Sequence, residues 1–288
     1  TPRYERGATG LRKLDGPSTV APIRARHPQW FVRSRLLDAE VVLVPHSDVL
    51  RVHRPEARLA QLRAGGASGR LEERVAGAAG ALVALGVPAE RIGVTGSLLV
   101  GAAGDSSDMD VVVYGRAAFA RARAALATLL ERGDWSGLGE AQWRDAWERR
   151  GAPGTLAEYV RHESRKHTKA VVEGSRLDLT LLQDAEEGEP ERPPFRKLGR
   201  HSLQATVLDD RAAFDLPARY VVDDPDVPQL VAWTATYVGH ARAGERVEAH
   251  GWLEEDAMGR RRLLVGTSRE APGESIRVLP DSQASLTV

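Results

Sequence analysis

The chain has no cysteine. That excludes disulfides, thiolate zinc sites and cysteine nucleophiles, and it leaves any metal to Asp, Glu or His. There is no apolar run near the roughly 18 residues that a membrane helix needs, and no signal-like apolar stretch opens the chain. The expected compartment is therefore the cytoplasm, with no membrane partner, although a chain beginning at Thr1 without methionine leaves a removed leader open. Net charge is also missing: 40 basic residues balance 40 acidic ones, so no whole-molecule field marks a general nucleic-acid or membrane binder. Any basic surface must be local. Lysine is scarce, four against 36 arginines, and together with abundant alanine this points to a GC-rich genome, so arginine number carries no functional weight.

What is present is globular in character. A 288-residue chain with 42% hydrophobic and 28% charged residues has room for two domains, or one with appendages. Two stretches unfavourable to helix and strand, Gly65–Gly69 and Glu186–Pro194, divide it into an N-terminal arm over 1–66, a core over 67–190 and a C-terminal module over 191–288. Within the arm, Glu40–Val44 reads as a short strand, and Pro55–Leu62 opens a helix with proline in its first turn. In the core, Leu71, Val75, Ala78, Ala79, Leu82 and Leu85 recur at helical spacing. Strands are expected over Arg91–Thr95, Met109–Tyr114 and Leu177–Leu182, with helices around Phe119–Leu130 and Trp143–Trp147. Thr155 and Glu158 have the spacing of a capping box, predicting a helix from there to about Val171. The last part is a series of short β-prone runs, for which a small barrel or sheet is the natural packing, and Gln229–Val238 fits helix or strand. The expected fold class is α+β.

Chemistry concentrates in Val94-Thr95-Gly96-Ser97, followed ten residues later by Asp108-Met109-Asp110-Val111-Val112-Val113. On a strand, Asp108 and Asp110 share a face, their backbones about 6.6 Å apart, while Met109, Val111 and Val113 enter the core. At that distance two ionised carboxylates repel by roughly 2.5 kcal/mol at an effective dielectric near 20. A divalent cation reverses the sign, and hard oxygen ligation favours magnesium or manganese. A second strand repeats the pattern, with Leu177, Leu179 and Leu181 inward and Asp178 opposite. Three such carboxylates on neighbouring strands can hold two metal ions about 3.5 to 4 Å apart, the spacing that activates an attacking hydroxyl and neutralises a leaving pyrophosphate. Gly96 and Ser97, at the end of a strand, offer peptide N–H groups and a hydroxyl to phosphate oxygens.

These residues resemble the DNA polymerase β-type nucleotidyltransferase superfamily, whose signature is Gly-Ser, a gap of about ten residues, Asp-x-Asp on a strand and a later Asp on another; the matches are Gly96, Ser97, Asp108, Asp110 and Asp178. The superfamily motif spans Arg91–Leu182. In detail, Gly93–Gly115 is similar to a class of uncharacterised archaeal and bacterial nucleotidyltransferase-domain proteins. That likeness extends to Gln142–Trp147, His162–Lys166, Lys197–Arg200 and Val265–Ala271. The resemblance implies a polymerase β-like core, a mixed sheet with helices, carrying the N-terminal arm and a small barrel-like C-terminal module. It implies two magnesium (or manganese) ions on Asp108, Asp110 and Asp178, and transfer of a nucleoside monophosphate from a nucleoside triphosphate such as ATP to an acceptor hydroxyl. An RNA 3′ end is the first acceptor, a protein or small molecule the second. No helix-hairpin-helix segment is recognisable, which argues against processive or gap-filling DNA synthesis.

Other readings stand beside this one. A lone Asp-x-Asp is often a solvated strand face, and Gly96-Ser97 is also an ordinary strand-to-helix turn. On the helix expected after Thr155, Arg161, Arg165 and Lys169 fall at i, i+4, i+8 with Lys166 adjacent, so that Arg165, Lys166 and Lys169 are candidate triphosphate ligands or one side of a solvated charged face. Arg196, Lys197, Arg200 and His201, and separately Arg260–Arg262, form either a phosphate-binding surface or arginine-rich turns. A different functional class, a catalytically idle nucleic-acid-binding protein on the same scaffold, also remains.

Overall fold

The computed structural model describes residues 4–7, 10–13, 20–104, 107–151, 154–188, 194–268 and 271–280. The chain mixes α and β structure in several sheets and divides into two compact units. One comprises Thr1–Ser34, Ala39–Leu138 and His167–Glu189; the other comprises Arg35–Asp38, Gly139–Lys166 and Pro190–Val288. The segment 139–166 thus groups with the C-terminal stretch. Among the described residues, no helix is long and apolar enough to cross a membrane.

The first unit opens with an antiparallel pair, β1 (Tyr4–Gly7) and β2 (Gly10–Lys13), then helix α1 (Val20–Arg26) and a second antiparallel pair, β3 (Phe31–Ser34) and β4 (Ala39–Val42). Helix α2 (Pro55–Gln61) starts on its proline, which has no N–H to satisfy at a position where none is bonded, and Leu59 is its buried residue. Helix α3 (Arg70–Ala84) buries Leu71, Val75, Ala78, Ala79 and Leu82, the stripe expected from their spacing. Then come β5 (Ile92–Val94), the single turn α4 (Gly96–Leu99), β6 (Met109–Tyr114) and α5 (Arg116–Glu131). The unit closes with β7 (Lys169–Val172) and β8 (Ser175–Leu182), giving a four-stranded mixed sheet in the order β5-β6-β8-β7. Strand β6 runs antiparallel to β5 and parallel to β8. Gly93 lets α2 close on β5, because a Cβ there would lie 2.6 Å from the Cβ of Pro55.

The alternation expected along β6 holds for Met109, Val111 and Val113. Val112, on the Asp110 face, is buried as well. As an interior strand of the sheet, β6 leaves that face partly open only at Asp110 and Tyr114.

In the second unit, helices α6 (Glu140–Arg150) and α7 (Leu156–Ser164) meet at Trp143 and Tyr159, whose rings sit edge to face at 6.3 Å. The expected capping box forms: Glu158 N–H donates to Thr155 Oγ1 at 3.2 Å, and Thr155 N–H donates to Glu158 Oε2 at 2.9 Å. The helix stops at Ser164 rather than reaching Val171. Local charge spacing continued past Ser164, but Val171 and Val172 are β-branched and Lys169–Val172 pairs as strand β7 instead. The rest of the unit is β9 (Phe195–Asp209), β10 (Ala218–Val222), β11 (Gln229–Ala232), β12 (Arg246–Asp256), β13 (Arg261–Val265) and β14 (Ser275–Val278). Neighbours pair in the order β13-β11-β10-β9-β12-β14, and β13 pairs with β12 as well. Tyr220, Leu230, Val247, Ala249, Leu263, Val265 and Ile276 are among the side chains of its core. The ambiguous stretch resolves as strand β11 followed by a 3-10 turn at Ala235–Tyr237.

Candidate active site

Parallel pairing of β6 with β8 places Asp110 and Asp178 directly opposite each other in register. Neighbouring strands lie about 4.8 Å apart, so two residues remote in sequence become lateral neighbours on one face. Asp108 sits just before β6 and is half-buried. On the other side of β6, Thr95 N–H donates to the Asp110 carbonyl at 2.9 Å, which fixes the chain leaving β5 for the glycine turn. Gly96 adopts φ +62°, and a Cβ there would stand 2.1 Å from Asp110 Oδ2. The glycine backbone is therefore seated against the Asp110 carboxylate. Ser97 follows, buried at 7% exposure. Gly96→Ala combines a left-handed backbone with this collision; we expect it to cost about 1 to 3 kcal/mol of stability, read from the urea midpoint. A loss below half a kilocalorie would mean that the turn is not held against Asp110.

Asp178 is already engaged. Arg176, two residues earlier on the same strand face, donates to its Oδ2 at 2.9 Å and Oδ1 at 3.3 Å, and Lys169 Nζ lies 3.7 Å from Oδ1. Lys169 faces Asp178 across β7 and β8, so this candidate ligand reaches Asp178, from a strand instead of a helix. Both cations are about nine-tenths buried, with side chains 10% and 9% exposed for Arg176 and Lys169, which makes the interaction stronger than at an open surface. Sequence reasoning missed Arg176, although its i−2 spacing from Asp178 was a usable signal. Among the described residues, no group of three or more metal-ligating side chains stands close enough to hold an ion.

The other two expected phosphate ligands, Arg165 and Lys166, lie in the second unit, where acids of that unit hold them. Arg165 forks onto the Glu245 carboxylate, one bond being 2.9 Å, and onto the His240 carbonyl. Lys166 is buried, bonded to the Glu163 carboxylate and, at 3.1 Å, to the Thr236 carbonyl. The helical strip of Arg161, Arg165 and Lys169 does not form because the helix ends before it is complete. Arg260, Arg261 and Arg262 are likewise committed, to Asp256, Glu255 and Glu254 across the β12–β13 turn, at 2.7, 2.8 and 2.8 Å. Arg200 lies 4.5 Å above the Trp252 ring and 3.3 Å from Glu274, and Lys197 donates to the Asp38 carbonyl at 3.0 Å. Those arginines are paired with acids of their own unit, while the side chains of Arg200, Arg260 and Arg261 stay exposed.

Two buried histidines lie near Lys166. Burial, then the charges of Arg165, Arg161 and Lys166, push His162 down to about 4. Burial and Lys166 push His240 well below its ordinary range. Glu245 and Glu163 oppose these shifts without cancelling them. Because both folded values lie below the unfolded one, the unfolded chain binds more protons in mild acid. The stability concerned is whole above pH ~6.5 and is lost as pH falls toward 4, by about 3 kcal/mol for His162. The urea midpoint is expected to fall across that window, and to fall less in His162→Phe; identical slopes would refute the assignment.

A search of curated proteins finds an uncharacterised protein of Methanocaldococcus jannaschii that is 35% identical over 222 residues, covering 72% of this chain. The chain spans 64% of that protein's length. No family model matches the chain. No solved structure matches it.

Proposed function

We propose that the chain is a magnesium-dependent nucleotidyltransferase that moves a nucleoside monophosphate from a nucleoside triphosphate to an acceptor hydroxyl. One observation carries the reading: Asp110 and Asp178 stand in register on parallel strands, with the Gly96 backbone packed on the Asp110 carboxylate. The donor set is hard oxygen only, which suits magnesium or manganese. Asp108 and Asp110 would hold both ions, and Asp178 would bind one of them after exchanging its bond with Arg176. Bound there, the ions would supply charge neutralisation for the triphosphate and a lower pKa for the acceptor hydroxyl.

The chain's own groups do the rest. Gly96 and Ser97 seat the β and γ phosphates through peptide N–H groups and the Ser97 hydroxyl. Lys169 and Arg176 offset carboxylate charge before substrate arrives and become phosphate partners once Asp178 turns away. The acceptor oxygen bonds to the α-phosphorus as the bond to pyrophosphate breaks, and the hydroxyl proton departs on the Asp178 side. In the second unit, the pairing of β12 with both β9 and β13 favours the barrel-like module, and an RNA 3′ end stays the first acceptor to try. The commitment of Arg260–Arg262 to neighbouring acids lends that choice no support.

The test is incubation of the full chain with each α-labelled triphosphate, magnesium and total RNA, followed by locating the label in RNA, protein and small-molecule fractions. Magnesium-dependent incorporation with pyrophosphate release is expected. Salt-sensitive RNA binding without any triphosphate consumption would favour the idle scaffold instead.

A further inference from the structure

Within the first unit, an open groove of about 470 Å³, the size of a ligand cleft, lies between the chain entering α2 and the chain leaving α4. Arg51, His53, Arg54 and Arg58 line it from the α2 side, Leu99 and Val100 from the α4 side. Among the described residues, no carboxylate lines it.

The cations differ in their commitments. Arg58 is structural: it donates to the Leu98 carbonyl at 3.2 Å and to Gln61 at 3.0 Å, and it pairs with Glu72, which fastens α2 to α4. Arg51 and His53 are exposed, and among the described residues neither has a hydrogen bond or an ion pair. Arg54, its side chain 74% exposed, reaches only Glu56, at 3.9 Å. The acids nearest in sequence are engaged elsewhere. Asp48 accepts from the Trp30 indole at 2.9 Å, and Glu56 accepts from the Tyr114 hydroxyl at 2.7 Å. The groove therefore carries positive charge without a built-in counter-charge, unlike Arg260–Arg262, each of which is held by an acid.

Such a surface suits a polyanion. Two exposed guanidinium forks match phosphate oxygens in pairs, and Val52, between them in sequence and 70% exposed, offers apolar area to a sugar or base. Position narrows the choice further. Gly96 opens α4 against the Asp110 carboxylate, and Leu99, about 4.5 Å along the same single turn, borders the groove. A strand held there lies one helical turn from the residue seated on Asp110.

We propose that this groove holds the sugar-phosphate backbone of a single-stranded RNA, with Arg51 and Arg54 on its phosphates. The strand's role as acceptor rests on nucleotidyl transfer at the aspartates; its binding does not.

The test follows the anisotropy of a short fluorescent single-stranded RNA added to the full chain in EDTA, with no triphosphate. A Kd of about 1 to 100 μM at physiological salt is expected, weakening as salt rises. Arg51→Gln with Arg54→Gln should lower affinity at least about 10-fold. The slope of log K against log salt should become shallower by about 1.4, for two single-strand phosphates at about 0.7 each. Arg121 on α5 and Arg132 at its C-terminus are also exposed. Replacing both with Gln removes the same charge away from the groove and should change affinity less than about 2-fold. Undiminished affinity in Arg51→Gln with Arg54→Gln, its fold verified by the thermal midpoint, would overturn the proposal. So would equal losses in the two double variants. Equal competition by polyglutamate would assign the groove to an acidic protein instead, and equal competition by ATP to the nucleotide. With magnesium and triphosphate added, Arg51→Gln with Arg54→Gln should raise the RNA KM about 10-fold and leave kcat unchanged. Transfer absent from the parent, with binding as expected, would end the acceptor role and leave the RNA site standing.

Discussion

Asp110→Asn is expected to lower magnesium-dependent transfer by about 10³-fold or more, equivalent to about 4 kcal/mol of transition-state stabilisation, while the thermal midpoint stays within a few degrees of the parent. The substitution conserves volume beside Gly96, where space is tightest, and removes a formal charge from a position that is only half-buried. The paired comparison is Asp178→Asn. That change withdraws the carboxylate shared by Arg176 and Lys169, so stability should fall along with activity. Labelled-nucleotide incorporation in Asp110→Asn equal to that of the parent would remove the aspartate pair from the chemistry. Equal stability losses in both variants would mean that the bonds from Arg176 and Lys169 add nothing particular to the stability carried by Asp178.

The second large effect is structural. Glu163 and Lys166 are among the most buried charged side chains, 2% and 3% exposed, and one is the other's counter-charge on adjacent turns of the chain. Truncating Glu163→Ala leaves the ammonium with the Thr236 carbonyl but without its carboxylate, for which we expect a loss of about 3 to 5 kcal/mol in urea unfolding. Replacing both partners, Glu163→Leu with Lys166→Met, should recover most of it, because neither charge then has to be desolvated. A single variant within about 1 kcal/mol of the parent would show that water reaches the pair.

Much of this architecture was legible in residue spacing. The bounds of β6, the buried stripe of α3 and the Thr155–Glu158 capping box follow from periods and local chemistry alone, which act over a few residues. The encounter of Asp110 with Asp178 was inferable as two strands of like pattern, though their register was not. What escaped depends on distant partners. Arg161, Arg165 and Lys169 look like one helical strip until β7 claims Lys169 for Asp178 and Glu245 claims Arg165. Lys166 looked exposed because nothing near it in sequence announces His240 or Thr236. The arginines at 260–262 could have been foreseen as paired, since Glu254, Glu255 and Asp256 mirror them across a turn.

The crossover between the two parallel aspartate strands has a consequence for anyone dissecting the protein. On leaving β6 the polypeptide builds α5, then contributes α6 and α7 to the other unit, and only afterwards returns to lay down β7 and β8. Neither unit is a continuous stretch, so no single scissor point liberates one of them whole. A fragment ending before His167 would lack the strand that brings Asp178, and one starting at Pro190 would lack the helices that carry His162, Glu163 and Lys166. Each half is stitched through the other's sequence, and fragments cut at one boundary should be insoluble remnants rather than working modules.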